Sequence, residues 1–231
     1  MAIALVNKGI SRSDIVGKDL MKLNLGCGLN APAGWINIDA SFTARLSKLG
    51  RFYKLLCKIL RIKLIPWPKN IKILDVRNGL PYPDSSVKAI FSSHMLEHMH
   101  YEEANFVIKE CYRCLVKGGI IRIIVPDLYQ IAKRYVDSVN RNPKGEHSHS
   151  FLKNLNMQEK SYKGIRKILK IFSHSKHLHM YDEWSLKELL EKHGFKNIQR
   201  MQYGQSRISN IKLVETKGRH EKSVCLEGVK E

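Results

Sequence analysis

The chain has 231 residues, 43% hydrophobic and 26% charged, with a formal net charge of +19. That length suits a single domain over residues 1–231, large enough for a substantial core, and no run reaches the roughly 18 consecutive apolar residues of a membrane span. Five cysteines make no disulfide framework and fit a reducing cytoplasm, while the charge points to an anionic partner: nucleic acid, anionic lipid or a phosphorylated substrate.

Residues 1–20 read as a polar lead-in, and the opening MAIALVNKGISRSD turns polar too soon to be expected to act as a signal peptide. Leu23–Leu25 is the first strand and runs into Gly26-Cys27-Gly28. A strand that ends in glycines lets a ligand approach the backbone, because no Cβ stands in the way. A second short strand, Trp35–Ile38, ends in Asp39. Two neighbouring parallel strands, one closing in a glycine turn and the next in an acid, make a nucleoside site, with the acid accepting from ribose hydroxyls. Gly26 to Ala31 formally satisfies the dinucleotide pattern GxGxxG/A, but Pro32 and Gly34 break the segment. Asp39 also arrives too early for the helix that a pyrophosphate needs. S-adenosylmethionine (SAM) has no phosphate and tolerates this arrangement.

A basic insertion follows over residues 41–70, with no acidic residue in it. Placed on one helix, Leu46, Leu49, Tyr53, Leu56 and Leu60 share a face, and Arg51, Lys54, Lys58 and Arg61 share the other. Such a helix either packs its apolar face on the domain or lies on an anionic membrane surface, with residues 41–65 making the contact. Ile71–Leu74 is the third strand, ending at Asp75, and Val87–Phe91 the fourth, leaving through Ser92-Ser93-His94-Met95-Leu96-Glu97-His98. Glu102–Val116 is a helix by periodicity, stopped at Gly118-Gly119. Its Cys111 and Cys114 form a CxxC with no second pair, which makes them packing residues rather than zinc ligands. Ile120–Val125, interrupted only by Arg122, is a central strand ending at Pro126-Asp127. A second basic insertion spans about 134–176, including Arg166, Lys167 and Lys170, and His174, His177 and His179 close it. Trp184–His193 is a helix preceded and capped by Tyr181-Asp182, and Phe195–Tyr203 and Ser223–Val229 are the last strands, antiparallel to each other. Strands alternating with helices, and polar groups at successive strand ends, predict an α/β parallel sheet with ligands outside its carboxyl edge.

The ordered series LNLGCG, GWINID, Asp75 with LPYPD, SSHMLEH, YRCLVKGG and IRIIVPD, over residues 22–127, resembles class I SAM-dependent methyltransferases. It looks most like the small bacterial group with GCG, GWxNxD and SxHxLEH motifs. The resemblance implies a Rossmann-like, doubly wound, seven-stranded sheet with the last strand antiparallel. It also implies a sugar-like acceptor, since members of the group often serve polysaccharide or surface-glycan assembly. By position, Gly26, Cys27 and Gly28 would contact the methionine part of SAM, and Asp39 its ribose. Asp75 would hold the adenine amine with the Val76 backbone beside it, and Ser92, Ser93 and His94 would face the sulfonium. Asn24 stands where many such enzymes carry the acid that meets the methionine ammonium.

Methyl transfer to an alcohol needs a base tuned near neutral pH, which histidine supplies. His94 is the first choice for it, with His98 and Asp127 also at the carboxyl edge. His98 could instead anchor its loop, and Asp127 could instead cap the next helix. His177 and His179 could contact the acceptor from the second insertion, or join His174 in a metal site, but their alternate spacing matches no usual ligand pattern, so no metal is expected. The expected function is SAM-dependent O-methylation of a glycan, nucleotide-sugar or lipid-linked sugar, in the cytoplasm or at the inner face of the membrane. RNA methylation, and a catalytically silent SAM fold that binds membrane or nucleic acid, are the alternatives.

Overall fold

Seven strands form one sheet in the order β3-β2-β1-β4-β5-β7-β6. The protein's computed structural model describes residues 20–59, 64–157 and 176–231. β1 (Met21–Leu25) pairs in parallel with β2 (Ile36–Asp39) and β4 (Val87–Ser93). β3 (Ile71–Ile73) lies outside β2, and β5 (Leu115–Pro126) lies beside β4, both again parallel. β7 (Ser223–Lys230) runs antiparallel between β5 and β6 (Phe195–Arg200). This is the expected Rossmann-like doubly wound sheet. The chain leaves β1 in one direction for β2 and β3 and then crosses to β4, so the strand order reverses beside β1, where such sheets bind ligands.

Strand alternation divides the core. Ile121, Ile123, Val125, Val224 and Leu226 join the cluster on one face, built with Val107, Ile108 and Cys111 of α3 (Tyr101–Cys114). Leu186, Leu189 and Leu190, from the helix Glu183–Lys192, complete that layer. Phe91, Ile124 and Cys225 face the other side, against Trp35, Ile208, Ile211 and Val214. The Cys111 and Cys114 thiols are buried, and burial pushes the Cys114 thiol up to about 11, so both pack rather than react.

Arg122, the polar interruption in β5, faces the second cluster and is fully buried. It meets Glu215 Oε1 at 2.5 Å and Glu227 Oε1 at 2.9 Å, and donates to the Gln202 and Gln205 carbonyls. Glu215 in turn accepts from the Gly204 amide, and Glu227 from the Arg207 amide. Residues 202–227 are thereby tied onto the sheet.

The first insertion departs from the expected single helix. Gly50, at φ +57°, separates α1 (Phe42–Ser47) from α2 (Arg51–Ile59). Tyr53 and Cys57 turn inward, whereas Leu49, expected on the packed face, is exposed. Phe52 (76% exposed), Leu55 and Ile59 (66%) form an outward apolar face beside Arg51, Lys54 and Lys58. In the second insertion α4 (Leu128–Arg141) and α5 (His147–Asn154) are seen. α6 is the helix Glu183–Lys192, capped by Asp182 as expected, with its carboxylate accepting from the Ser185 amide at 2.8 Å. Residues 1–19, Leu60, Arg61, Arg166, Lys167, Lys170 and His174 lie outside the described residues. No described helix is long and apolar enough to cross a membrane.

Candidate active site

The carboxyl ends of β1, β2 and β3 open into a cavity of about 370 Å³, within the roughly 300–1,000 Å³ common to small-molecule sites. Gly26, Gly28, Asp39, Asp75, Val76, His94 and His98 all line it. The structure thus gathers seven of the expected site residues around one space.

The glycine turn is shaped by its backbone. Gly26 sits at φ +66° and Gly28 at φ +56°, conformations that side chains other than glycine's enter at a cost. A Cβ on Gly26 would lie 2.9 Å from the Met95 Cβ and Cγ, so the turn fits against Met95 only because that atom is missing. Asp39 braces the turn: Oδ2 accepts from the Gly28 amide at 2.9 Å and Oδ1 from the Ser41 amide at 2.8 Å. Each oxygen keeps a lone pair for a further donor. Beneath the turn, Asn24 donates to the Asn30 carbonyl and to Asn37 Oδ1. It is a buried structural amide and offers nothing to a ligand.

Asp75 ends the third strand, caps the short turn Val76–Asn78 and is paired with Arg77 at 2.7 Å. Ile38, Leu74, Val76, Trp67 and Met99 give this end of the cavity its apolar walls.

At the other end stand His94 and His98. His94 holds φ +54°, strained for a histidine and of the kind that collects at functional sites. Its Nδ1 lies 3.1 Å from Glu97 Oε1, and its Nε2 lies 2.8 Å from the Arg219 carbonyl. Burial lowers the imidazole's pKa, but the Glu97 carboxylate and the Arg219 carbonyl outweigh it and hold the pKa above its ordinary value. Nδ1 thus faces the Glu97 carboxylate, and Nε2 faces the Arg219 carbonyl and the Ser223 hydroxyl. His98 differs: its Nδ1 is 2.8 Å from the Lys176 carbonyl, which fixes the proton there and leaves Nε2 with its lone pair.

Four expected residues do not line the cavity. The Cys27 thiol points inward to the Gly28 carbonyl, and burial pushes it up to about 12. Ser92 and Ser93 are still paired within β4, opposite Ile123 and Ile124. Their side chains meet the layers on the sheet faces, and from this part of the chain it is His94 and the residues after it that reach the opening. Asp127 is the cap of α4, accepting from the Gln130 amide at 3.1 Å, and its other oxygen meets Arg200 at 3.3 Å. Its role is structural.

Sequence reasoning missed Trp67 and Thr43 in the lining, and above all Arg219, on the short helix α7 (Lys217–His220). Its guanidinium donates to the Ser93 carbonyl and comes within 3.7 Å of where a Gly28 Cβ would be. No motif announces it, because its place is set by the fixing of residues 202–227 onto β5.

Residues 23–123 match the family described as Methyltransferase domain. No curated protein matches the sequence. Among solved structures, a SAM-dependent methyltransferase of Thermotoga maritima, described as a possible histamine N-methyltransferase, is 15% identical, with a TM-score of 0.48. The alignment covers 93% of this chain and 83% of that one. A SAM-dependent methyltransferase of Archaeoglobus fulgidus is 16% identical over 91% of this chain and 86% of its own, with a TM-score of 0.44. The YcgJ protein of Bacillus subtilis is 11% identical over 92% of both chains, with a TM-score of 0.45.

Proposed function

We propose that the chain, which matches the family described as Methyltransferase domain over residues 23–123, is a class I SAM-dependent methyltransferase that methylates a hydroxyl group of an anionic, sugar-like acceptor. The observation that carries this is the cavity itself, with two carboxylates at strand ends on one side and histidines on the other.

The residues present fit SAM. Asp39 has lone pairs left for ribose hydroxyls, and Trp67, Leu74 and Val76 offer apolar walls to the adenine, with Asp75 at its edge. The glycine turn leaves room for the methionine moiety, and Arg219 supplies a cation for its carboxylate, on the side where Asn24 offers no charge. When bound, SAM supplies an electrophilic methyl group. The chain's own work is then mostly positioning, which can contribute about 7–11 kcal/mol at best.

The acceptor hydroxyl must also lose its proton. His94 is not placed to take it, since its two ring nitrogens are turned to the Glu97 carboxylate and the Arg219 carbonyl. Its role is to hold Glu97 and to fix Arg219 through the backbone. The lone pair on His98 Nε2 assigns deprotonation to the His98 side.

The exposed face of α2 supports an acceptor held at an anionic lipid surface. Phe52, Leu55 and Ile59 would insert among the headgroups while Arg51, Lys54 and Lys58 meet their charge. Thr43, close by on α1, lines the cavity, so an acceptor head held there is near the opening.

The test is mass spectrometry of cell extracts incubated with the protein and isotope-labelled SAM. Label in an O-methyl sugar of the lipid-linked or glycan fraction is the expected result. Label confined to RNA or protein would refute the acceptor.

A further inference from the structure

We propose that Glu97, His98 and His177 bind one transition-metal dication, of the zinc or cobalt kind, beside the acceptor end of the cavity. Their ligand atoms all lie within 4.8 Å of one another. A tetrahedral ion with bonds of about 2.0–2.1 Å needs them roughly 3.3 Å apart, so side-chain movements of about an ångström close the shell.

The lone pairs are already prepared. Glu97 is fully buried, and neither of its carboxylate oxygens has a hydrogen-bond partner among the described residues. A carboxylate cut off from water in this way is costly unless its oxygens are paired. His94 answers only one oxygen, at 3.1 Å from Oε1. His177 Nδ1 is likewise buried with no partner. The Leu155 backbone hydrogen-bonds the His177 ring, and that bond therefore falls to Nε2. His98 gives its Nδ1 proton to the Lys176 carbonyl. Both histidines thus hold one nitrogen on a backbone carbonyl and offer the other, the arrangement that orients imidazoles for a metal.

The scaffold is rigid as well. The Leu178 and His179 amides both donate to the Glu97 carbonyl, at 2.7 and 3.3 Å. These bonds bring His177 to a pair of residues far from it in sequence. The two imidazoles meet edge-on with centroids 5.1 Å apart.

Two imidazoles and a carboxylate suit a borderline dication better than magnesium or calcium, which prefer oxygen. Three protein ligands also leave a coordination position open, the pattern of a catalytic rather than a structural site. His98 lines the cavity, so that position faces the acceptor. With the ion bound, the His98 Nε2 lone pair is committed to it, and the acceptor hydroxyl would lose its proton through coordination rather than to His98. This role rests on the methyltransferase reading, whereas binding of the ion does not.

The test uses tag-free, full-length protein stripped with a chelator. Co²⁺ is titrated in and followed by its visible absorption, and Zn²⁺ by calorimetry. One equivalent is expected to bind, and affinity is expected to fall at least tenfold in His177→Ala and in Glu97→Gln but not in the surface variant His149→Ala. Circular dichroism checks that both variants fold, and His177→Ala leaves the buried carboxylate in place. No uptake, or uptake equal in wild type and His177→Ala, overturns the proposal. SAM calorimetry on the stripped protein reports on the cofactor reading separately. Retained SAM binding without metal uptake removes the ion and leaves the enzyme, and metal uptake without SAM binding does the reverse.

Discussion

Arg77 clasps Asp75 at two points, Nε to Oδ1 at 2.9 Å and Nη2 to Oδ2 at 2.7 Å, across the mouth of the third strand. The Arg77 hydrogen bond, working against burial, holds the Asp75 carboxyl below its ordinary range. A carboxyl whose folded pKa is depressed stabilises the fold above its unfolded value, about 3.9, and loses that contribution as pH falls through the folded value. Arg77→Ala is therefore expected to cost about 1.5–3 kcal/mol at pH 7. The gap to wild type should narrow at about pH 3 as Asp75 is protonated. Urea unfolding at the two pH values measures it, and a gap independent of pH would show that the pair contributes nothing electrostatic.

Gly26→Ala puts a Cβ 2.9 Å from Met95 and a side chain at φ +66°. Positive φ alone costs about 1–3 kcal/mol, and the turn can relax only by moving away from where the ligand sits. SAM affinity by calorimetry should fall about tenfold or more. Unchanged affinity would place the methionine moiety elsewhere.

The outward face of α2 predicts binding to vesicles containing anionic lipid, measured by co-sedimentation. Binding should weaken with added salt, as contacts from Arg51, Lys54 and Lys58 are screened. Phe52→Ser with Ile59→Ser should abolish it while leaving SAM affinity intact, because neither residue lines the cavity. Equal binding to neutral vesicles would contradict the electrostatic half of the proposal.

Arg122 neutralises two buried carboxylates at once, Glu215 and Glu227. Arg122→Leu leaves both without it and should cost about 3–5 kcal/mol. Adding Glu215→Gln and Glu227→Gln should recover part of that loss, since glutamine still accepts from the Gly204 and Arg207 amides. Thermal unfolding of the three variants decides it, and no recovery would mean that the cost comes from lost packing.

The half of the site nearest the N-terminus was legible because strand ends announce themselves. Gly26, Gly28, Asp39 and Asp75 each follow an apolar run, and the sheet brings those ends to one edge. Misplaced residues share a different cause. Cys27, Ser92 and Ser93 sit in the right segments, but which way a side chain points depends on where the strand's pairing stops, and the sequence does not mark that. Pro126-Asp127 carries the same letters whether the acid caps a helix or faces a ligand, and only the Gln130 amide and Arg200 decide it. Gly50 was the one visible warning that the basic helix breaks. Arg219 had no local signal at all, and His177 stood out in the sequence without its partners Glu97 and His98, since contacts made from distant parts of the chain bring both into place.

The position of β7 between β5 and β6 has a consequence for synthesis. At the moment β6 is synthesised, the glycine turn, Asp39 and Asp75 have already been made, but Arg219 has not. The nascent protein therefore has a nucleoside shelf without its cationic wall. Competence to hold the whole cofactor arrives last, when the closing strand slides into its slot and brings α7 over the opening.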